Sequence, residues 1–437
     1  MPTASVRLDP PAEPTPGTSD RWWRRYPTLY RTNWTLAASC ALSLAITAGV
    51  AWHIYTLSPP AFMDLDVYRK GVQAWWHGGN MYGPLPKTIA DNYLPFIYPP
   101  FAALIFAPLA ALPWVPAAIA MEALSLISLA VVIFLTVRRL WAEGGLRGAL
   151  FATAVILPCV LKLQPVWDTL WFGQINLVLM LLVALDLLVV APKWPRGVLI
   201  GIAAAVKLTP AVFILYFLLR KDYRSAIYVA ISGAVATGIG FAATWSGSVN
   251  YWFGSSGGAR SVSGSAYFTN QTIDGGLARL SLPKHDQTVL WLGLVALVAV
   301  FALAALRRAH NLDNAPLAMV VTAGFGLVAS PTSWGHHYVY VVPALIVMGA
   351  WLLRAFNRGW LAALVLTGAL FFVAPFYYLP GGGDVELRWR WWQQIPGNSY
   401  TVAVIALLVC FGAPLVFETV REFARARRSL DESGVTR

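Results

Sequence analysis

Charge is scarce in this chain. Charged residues make up 12% of its 437 positions and apolar residues 58%. That is too little charge to coat a soluble globule of this length, so a soluble domain is excluded. Cysteine is nearly absent too: Cys40, Cys159 and Cys410 each sit in an apolar run. They suit small packing residues and exclude a disulfide framework or a thiolate metal centre. No heptad, solenoid or propeller period recurs, which excludes repeat architectures. The net charge of +12 is spread over short loops and the termini. That placement fits membrane topology and argues against nucleic acid as a partner.

What the chain has instead is a succession of apolar runs long enough to cross ~30 Å of hydrocarbon. The expected fold is all-α, a polytopic transmembrane helical protein. Candidate spans are Asn33–Leu57, Ile97–Leu112, Trp114–Thr136, Gly148–Leu163, Ile175–Ala191, Gly197–Leu219 and Ala226–Trp245. Thr288–Leu306, Ala315–Ser330, Tyr338–Leu353, Trp360–Tyr378 and Tyr400–Phe417 follow. The total is about twelve. Residues 1–20, rich in Pro, Thr and Ser, read as a disordered tail and not a cleaved signal peptide. Residues 21–420 are expected to form one transmembrane domain, with 58–100 as a structured first external loop, and 421–437 a basic tail. Arg21, Arg24, Arg25 and Arg31, interleaved with Trp22, Trp23 and Tyr26, anchor the N-terminus on the cytoplasmic side. Basic groups at Arg220, Arg307, Arg354 and Arg421 orient the second half, placing both termini inside. Simple alternation would leave Arg138, Arg139, Lys193 and Arg196 outside, against the positive-inside rule. Either Ile97–Leu112 is re-entrant, or Gly197–Leu219 is broken near Lys207-Leu208-Thr209-Pro210.

The stretch from Met63 to Pro100 is the most informative. It carries Asp64 and Asp66, a helix-like run with Val67, Val72, Trp75 and Trp76, then Gly78-Gly79 and an aromatic Pro-rich exit. A charged, aromatic segment against a bilayer suggests the roof of a membrane-embedded active site. Asp64-Leu65-Asp66 has the form of a metal-binding DxD. That chemistry serves cytoplasmic nucleotide sugars, and this loop is expected outside, so one carboxylate acting as general base is the simpler reading. Asp66 alternatively serves as an N-cap or first-turn acid of the helix. Trp75, Trp76 and Tyr82 read as interfacial anchors.

Other polar groups fall in or beside apolar spans: Glu122, Lys162, Asp168, Gln174, Asn176, Asp186 and Lys207. Each isolated charge there is unfavourable by roughly 2.5–3.5 kcal/mol, so several in one chain imply a shared polar cavity. The alternative is interhelical pairing, such as Glu122 with Lys162. Lys207, with Pro210 freeing backbone groups close by, suits an anionic ligand. His336 and His337, at the outer mouth of a span, suit hydrogen-bond donation to a phosphate or proton relay, with no third metal ligand nearby. Asn270-Gln271-Thr272 matches a glycosylation sequon.

Taken together the motifs resemble the GT-C glycosyltransferases, and specifically glycosyltransferase family 87. The matching pieces are Asp64-Leu65-Asp66-Val67-Tyr68, Gly78-Gly79 with Tyr82, and Phe96-Ile97-Tyr98-Pro99-Pro100. Gly173-Gln174-Ile175-Asn176, Lys207-Leu208-Thr209-Pro210 and Ser333 to His337 complete the set. Family members are bacterial polyprenol-phosphate-mannose-dependent α-mannosyltransferases, including the mycobacterial α-(1→2) type that extends phosphatidylinositol mannosides. The resemblance implies a plasma-membrane enzyme acting on the outer face. It implies a polyprenyl-phosphate-mannose donor, a glycolipid acceptor, surrounding membrane lipids, and neither metal nor cofactor. It makes Asp64 the base, with His336 or His337 and Lys207 facing the leaving phosphate. Asp66, Tyr68, Tyr98, Gln174 and Asn176 are the expected substrate-binding residues. Competing readings are a lipid or solute transporter, a polyprenyl-phosphate-arabinose enzyme, and a scaffold with no chemistry.

Overall fold

The computed structural model describes residues 32–57, 61–254 and 264–432; side chains are described to residue 422. The expected disordered tail and the Arg-Trp anchor lie outside the described residues, as do the side chains of the basic tail beyond residue 422. Every named element is helical. Among the described residues the one β feature is an isolated bridge between Asn270 and Trp334.

Apolar composition and length make seven helices able to cross a membrane, or eight if a bent pair is counted as one span. The long ones are α1 (Asn33–Leu57), α4 (Trp114–Leu140), α5 (Gly145–Val160), α10 (Tyr223–Ala243), α13 (Lys284–Asn311), α15 (Val341–Arg354) and α17 (Ser399–Glu432). The α15 span begins in a 3-10 turn, Gly335–Tyr340. The bent pair is α6 (Gln164–Phe172) and α7 (Asn176–Leu188), turned by 117°. The remaining elements are α2 (Met63–Trp76), α3 (Pro100–Ala111), α8 (Val198–Val206), α9 (Ile214–Leu219), α11 (Trp245–Phe253), α12 (Ile273–Ala278), α14 (Ala315–Ala329) and α16 (Arg358–Val373).

Two of the expected spans do not cross. Helix α3 has 12 residues, about 18 Å at 1.5 Å per residue, short of the hydrocarbon thickness. Arg69 of α2 donates to the carbonyls of Leu109 and Leu112 at its far end. Both ends of α3 therefore lie on the α2 side of the bundle. The Gly197–Leu219 segment rises as α8, breaks at Lys207-Leu208, turns through a 3-10 stretch (Thr209–Phe213) and returns as α9. Arg139, Arg196 and Arg220 all lie within electrostatic reach of Tyr216 on α9, and Arg354 donates to Leu140 O. One end of the bundle thus gathers the basic groups, and the conflict raised by Arg138, Arg139 and Arg196 disappears. Both re-entrant alternatives occur, where the charge pattern alone asked for a choice.

The buried acid of α7 explains the start of α8. Asp186 accepts from the backbone N–H of Gly197 (3.0 Å) and Ile200 (2.9 Å), and from Trp194 Nε1 (2.8 Å). A carboxylate at a helix N-terminus satisfies orphan donors. Asp186 holds the re-entrant helix by its base and forms no part of a cavity. Helix α8 then packs closely on α10, where Gly201 meets the backbone of Val229; an added Cβ would lie 2.4 Å from the Val229 carbonyl oxygen.

The alternative pairing of Glu122 with Lys162 is not formed. Both Glu122 carboxylate oxygens are buried without a hydrogen bond, and Lys162 Nζ sits 3.3 Å from the Trp167 ring centroid. The sequon is closed as well. Asn270 is wholly buried; its amide donates to Ser265 O and its oxygen accepts from Ser333 N.

Candidate active site

The site assembles where α2 rests on the α6–α7 bend. Gly173 makes that bend. It adopts φ +66°, and a Cβ there would lie 2.9 Å from the Cβ of Leu65. Only glycine takes this conformation freely and lets α2 approach so closely. Phe62 N donates to Trp171 O (2.6 Å), tying the start of α2 to the end of α6.

Helical periodicity divides the two acids of α2. Residues four apart share a face, and residues two apart do not. Asp64 and Tyr68 point to Gln174. Asp66 and Lys70 point to the following loop, where Asp66 Oδ2 accepts from Lys70 Nζ (2.5 Å) and Ile89 N (2.8 Å). Asp66 is thus a first-turn acid that pins the loop to the helix and stands outside the cluster. The two carboxylates of the DxD turn to different partners.

Gln174 is the hub. Its Oε1 accepts from Tyr68 (2.8 Å) and Tyr98 (3.1 Å), and the two phenolic oxygens lie 2.9 Å apart. Burial raises both phenols well above their ordinary range, so they remain donors. With its carbonyl filled, Gln174 turns its amide Nε2 to Asp64 Oδ2 at 2.6 Å. Among the described residues Asp64 Oδ1 takes no hydrogen bond. Burial pushes the Asp64 carboxyl up to about 6, opposed by the Gln174 hydrogen bond and by the charge of Lys207. A carboxylate tuned there is poised to accept a proton near neutral pH.

Lys207 arrives from the break between α8 and the 3-10 turn, in extended conformation (φ −152°, ψ 127°). Its Nζ donates to Asn176 Oδ1 and to His337 Nε2, both at 2.9 Å, and stands 5.3 Å from the Tyr98 ring centroid. Burial lowers the Lys207 ammonium to about 7; in its charged form it has only donors to offer, so His337 Nε2 then accepts and the imidazole proton resides on Nδ1. That Nδ1 is buried with no partner, as is His336 Nε2. The turn holding both histidines is fixed from below: Asn176 Nδ2 (3.0 Å) and Thr169 Oγ1 (3.1 Å) donate to His336 O. Phe172 packs edge-on against the His336 ring.

The structure therefore brings together Asp64, Tyr68, Tyr98, Gln174, Asn176, Lys207, His336 and His337 from five separate stretches. It adds Thr169, a hydroxyl within an apolar run that the sequence reading passed over. It also adds Gln271, read earlier only as part of a sequon. Gln271 O accepts from Tyr338 next to His337, and its side chain bonds Gly397 O and Tyr400 N. Nothing in its immediate sequence marks that role. Asp168 is buried but bonds Gln164 and Tyr377 (both 2.7 Å). A carboxylate joined to Tyr98 through Gln174 and an ammonium beside unsatisfied imidazoles lie within electrostatic reach of each other. Such a site can take a proton at the carboxylate and stabilise an anion at the ammonium.

Comparison with known proteins gives the family. Residues 96–331 match the family model described as Glycosyltransferase family 87. The chain is 39% identical over 392 residues to the polyprenol-phosphate-mannose-dependent alpha-(1-2)-phosphatidylinositol mannoside mannosyltransferase of Mycolicibacterium smegmatis, covering 84% of this chain and 88% of the relative. The protein of the same description from Mycobacterium tuberculosis is 37% identical, covering 83% and 87%. A phosphatidylinositol pentamannoside mannosyltransferase of Mycobacterium tuberculosis is 30% identical, covering 86% of each chain. No solved structure matches the chain. A polytopic helical membrane protein with this site and these relatives is a glycosyltransferase, and the chain belongs to glycosyltransferase family 87.

Proposed function

We propose that the protein transfers mannose from polyprenyl-phosphate-mannose to a phosphatidylinositol mannoside or related glycolipid, by inversion, on the outer face of the plasma membrane. The observation that carries this reading is the assembly of the Asp64 carboxylate and the Lys207–His337 pair in one buried cluster joined by Gln174 and Tyr98. The relatives' names supply the donor and acceptor. Asp64 takes the proton of the acceptor hydroxyl as its oxygen bonds to the anomeric carbon. The bond from that carbon to the phosphate oxygen breaks, and the electron pair leaves with polyprenyl phosphate. Lys207 and the free N–H of His337 meet the growing phosphate charge. No metal or cofactor takes part.

A cavity lined by Asn176, Thr209, Phe213, Leu327, His337 and Tyr340 opens from the site. Leu327 and Tyr340 also line a second, apolar cavity that continues between α14, α15, α16 and α17 to Trp351 and Phe411. An isoprenoid chain attached to a phosphate at His337 follows this path.

The test is incubation of purified protein with polyprenyl-phosphate-[14C]mannose and a panel of phosphatidylinositol mannosides. Transfer that survives EDTA and fails with GDP-mannose alone supports the reading. Polyprenyl-phosphate-arabinose as the better donor would overturn the sugar assignment. Sidedness is tested by impermeant cysteine labelling in intact cells: positions 257 and 384 should label and position 307 should not. The reverse pattern would invert the topology.

A further inference from the structure

Residues 379–399, between α16 and α17, form a rigid scaffold with an apolar outer surface. Its inner side is fully engaged. Glu386 is 1% exposed and accepts from Phe268 N (3.0 Å) and Gly382 N (2.8 Å). Trp389 is buried, donates to Pro380 O (2.8 Å) and lies under the Arg279 guanidinium, 5.5 Å from its ring centroid. Arg279 is itself buried and donates to Asn398 Oδ1 (2.6 Å). Gly397 is required by contact, because a Cβ there would lie 2.1 Å from the Trp389 ring.

Among the described residues the outer side packs against nothing. Trp391 is 81% exposed, Ile395 65%, and Trp392, Leu387 and Tyr378 are exposed with them. Arg388 and Arg390 stand between these side chains. Large aromatic residues held outward by a rigid frame mark an interaction surface. The flanking helices say what covers it. Phe372 and Val373 at the end of α16, and Val402 at the start of α17, are also exposed. Both helices are apolar and α17 is long enough to cross a membrane, so the patch continues their apolar outer surface beyond the ends of the helices. Trp, Tyr and Arg in combination suit the headgroup layer, where the ring bodies lie among acyl chains and guanidinium groups meet lipid phosphate.

We propose that residues Tyr378–Ile395 dock into the lipid headgroup layer on the active-site side, with Trp391 and Trp392 as the inserted side chains. The scaffold connects this anchor to the site: Gln271 Nε2 donates to Gly397 O (2.7 Å), and Gln271 O accepts from Tyr338, next to His337. Docking sets the depth of the histidine turn relative to the membrane surface. Its consequence for lipid acceptor binding rests on the mannosyltransferase reading; the docking itself does not.

The full chain is tested in nanodiscs, with Cys40, Cys159 and Cys410 replaced by Ser. Trp391→Cys carries an NBD fluorophore, and Asp91→Cys serves as the water-exposed control. Lipids bearing a nitroxide at the headgroup or at acyl position 5 should quench the 391 label several-fold more than the control, and more than nitroxide at position 12. Iodide should quench the control more strongly. Iodide access at 391 equal to the control, without lipid quenching, would overturn the proposal. Shielding from both quenchers would overturn it too and assign the patch to a second copy of the chain. A Trp391→Ser, Trp392→Ser variant should raise KM for a lipid acceptor several-fold while leaving kcat unchanged. Because quenching is read without substrate, failure of docking and failure of the sugar-transfer reading are separable.

Discussion

Substituting Asp64 and Asp66 one at a time separates chemistry from architecture within one helical turn. Asp64→Asn preserves shape, and an Asn oxygen still accepts from Gln174 Nε2. It removes the proton acceptor, which lowers turnover by about 10²–10⁴-fold, or roughly 3–5 kcal/mol on the barrier. Stability moves the other way. Raising the Asp64 carboxyl from its ordinary 3.8 to about 6 means that its charge at neutral pH opposes folding by about 3 kcal/mol. The folded state holds this proton more tightly than the unfolded chain, so the group favours the fold below pH 3.8 and loses that contribution as pH rises through about 6. Asp64→Asn is therefore inactive yet at least as thermally stable as the parent at pH 7, and its stability varies less across that window. Asp66→Asn behaves oppositely. It weakens the ion pair to Lys70 and the charged hydrogen bond from Ile89 N, costing about 1–3 kcal/mol, while transfer persists in the folded fraction. Thermal melts in detergent beside single-turnover transfer assays read both quantities. An inactive Asp66→Asn with a fully active Asp64→Asn, at equal expression and stability, would refute the assignment of the base.

The pH profile offers a second check. The acidic limb of kcat/KM should fall near pH 6, and Gln174→Leu or Lys207→Ala should move it upward, because each partner lowers the Asp64 value; an unmoved limb in both variants would separate Asp64 from that limb. Lys207→Ala should also weaken binding of polyprenyl phosphate by isothermal titration, with KM for the acceptor unchanged; intact phosphate affinity would remove Lys207 from the donor site. Gly173→Ala should lose about 1–3 kcal/mol through its left-handed conformation and the Leu65 contact, and lose activity with it. Full activity would show that α2 can reach Gln174 without that bend.

Sequence alone determined the membrane class, because low charge and long apolar runs leave no other solvent for the helices. It also singled out Asp64, Gln174, Asn176, Lys207 and the histidine pair, since intramembrane and loop polar groups are expensive wherever they stand and so are visible one by one. Tertiary structure decided their relations. Which acid faces the site depends on the rotation of α2 on the α6–α7 bend, set by Gly173 packing against Leu65. The path of Gly197–Leu219 depends on Asp186 capping α8 from a neighbouring helix, a long-range bond with no local signature. The burial of Asn270 and the tie from Gln271 to Tyr338 likewise arise between distant stretches. Hydropathy measures the preference of each segment for lipid, but hydrogen-bond partners inside the bundle decide which segments cross it and where each side chain points.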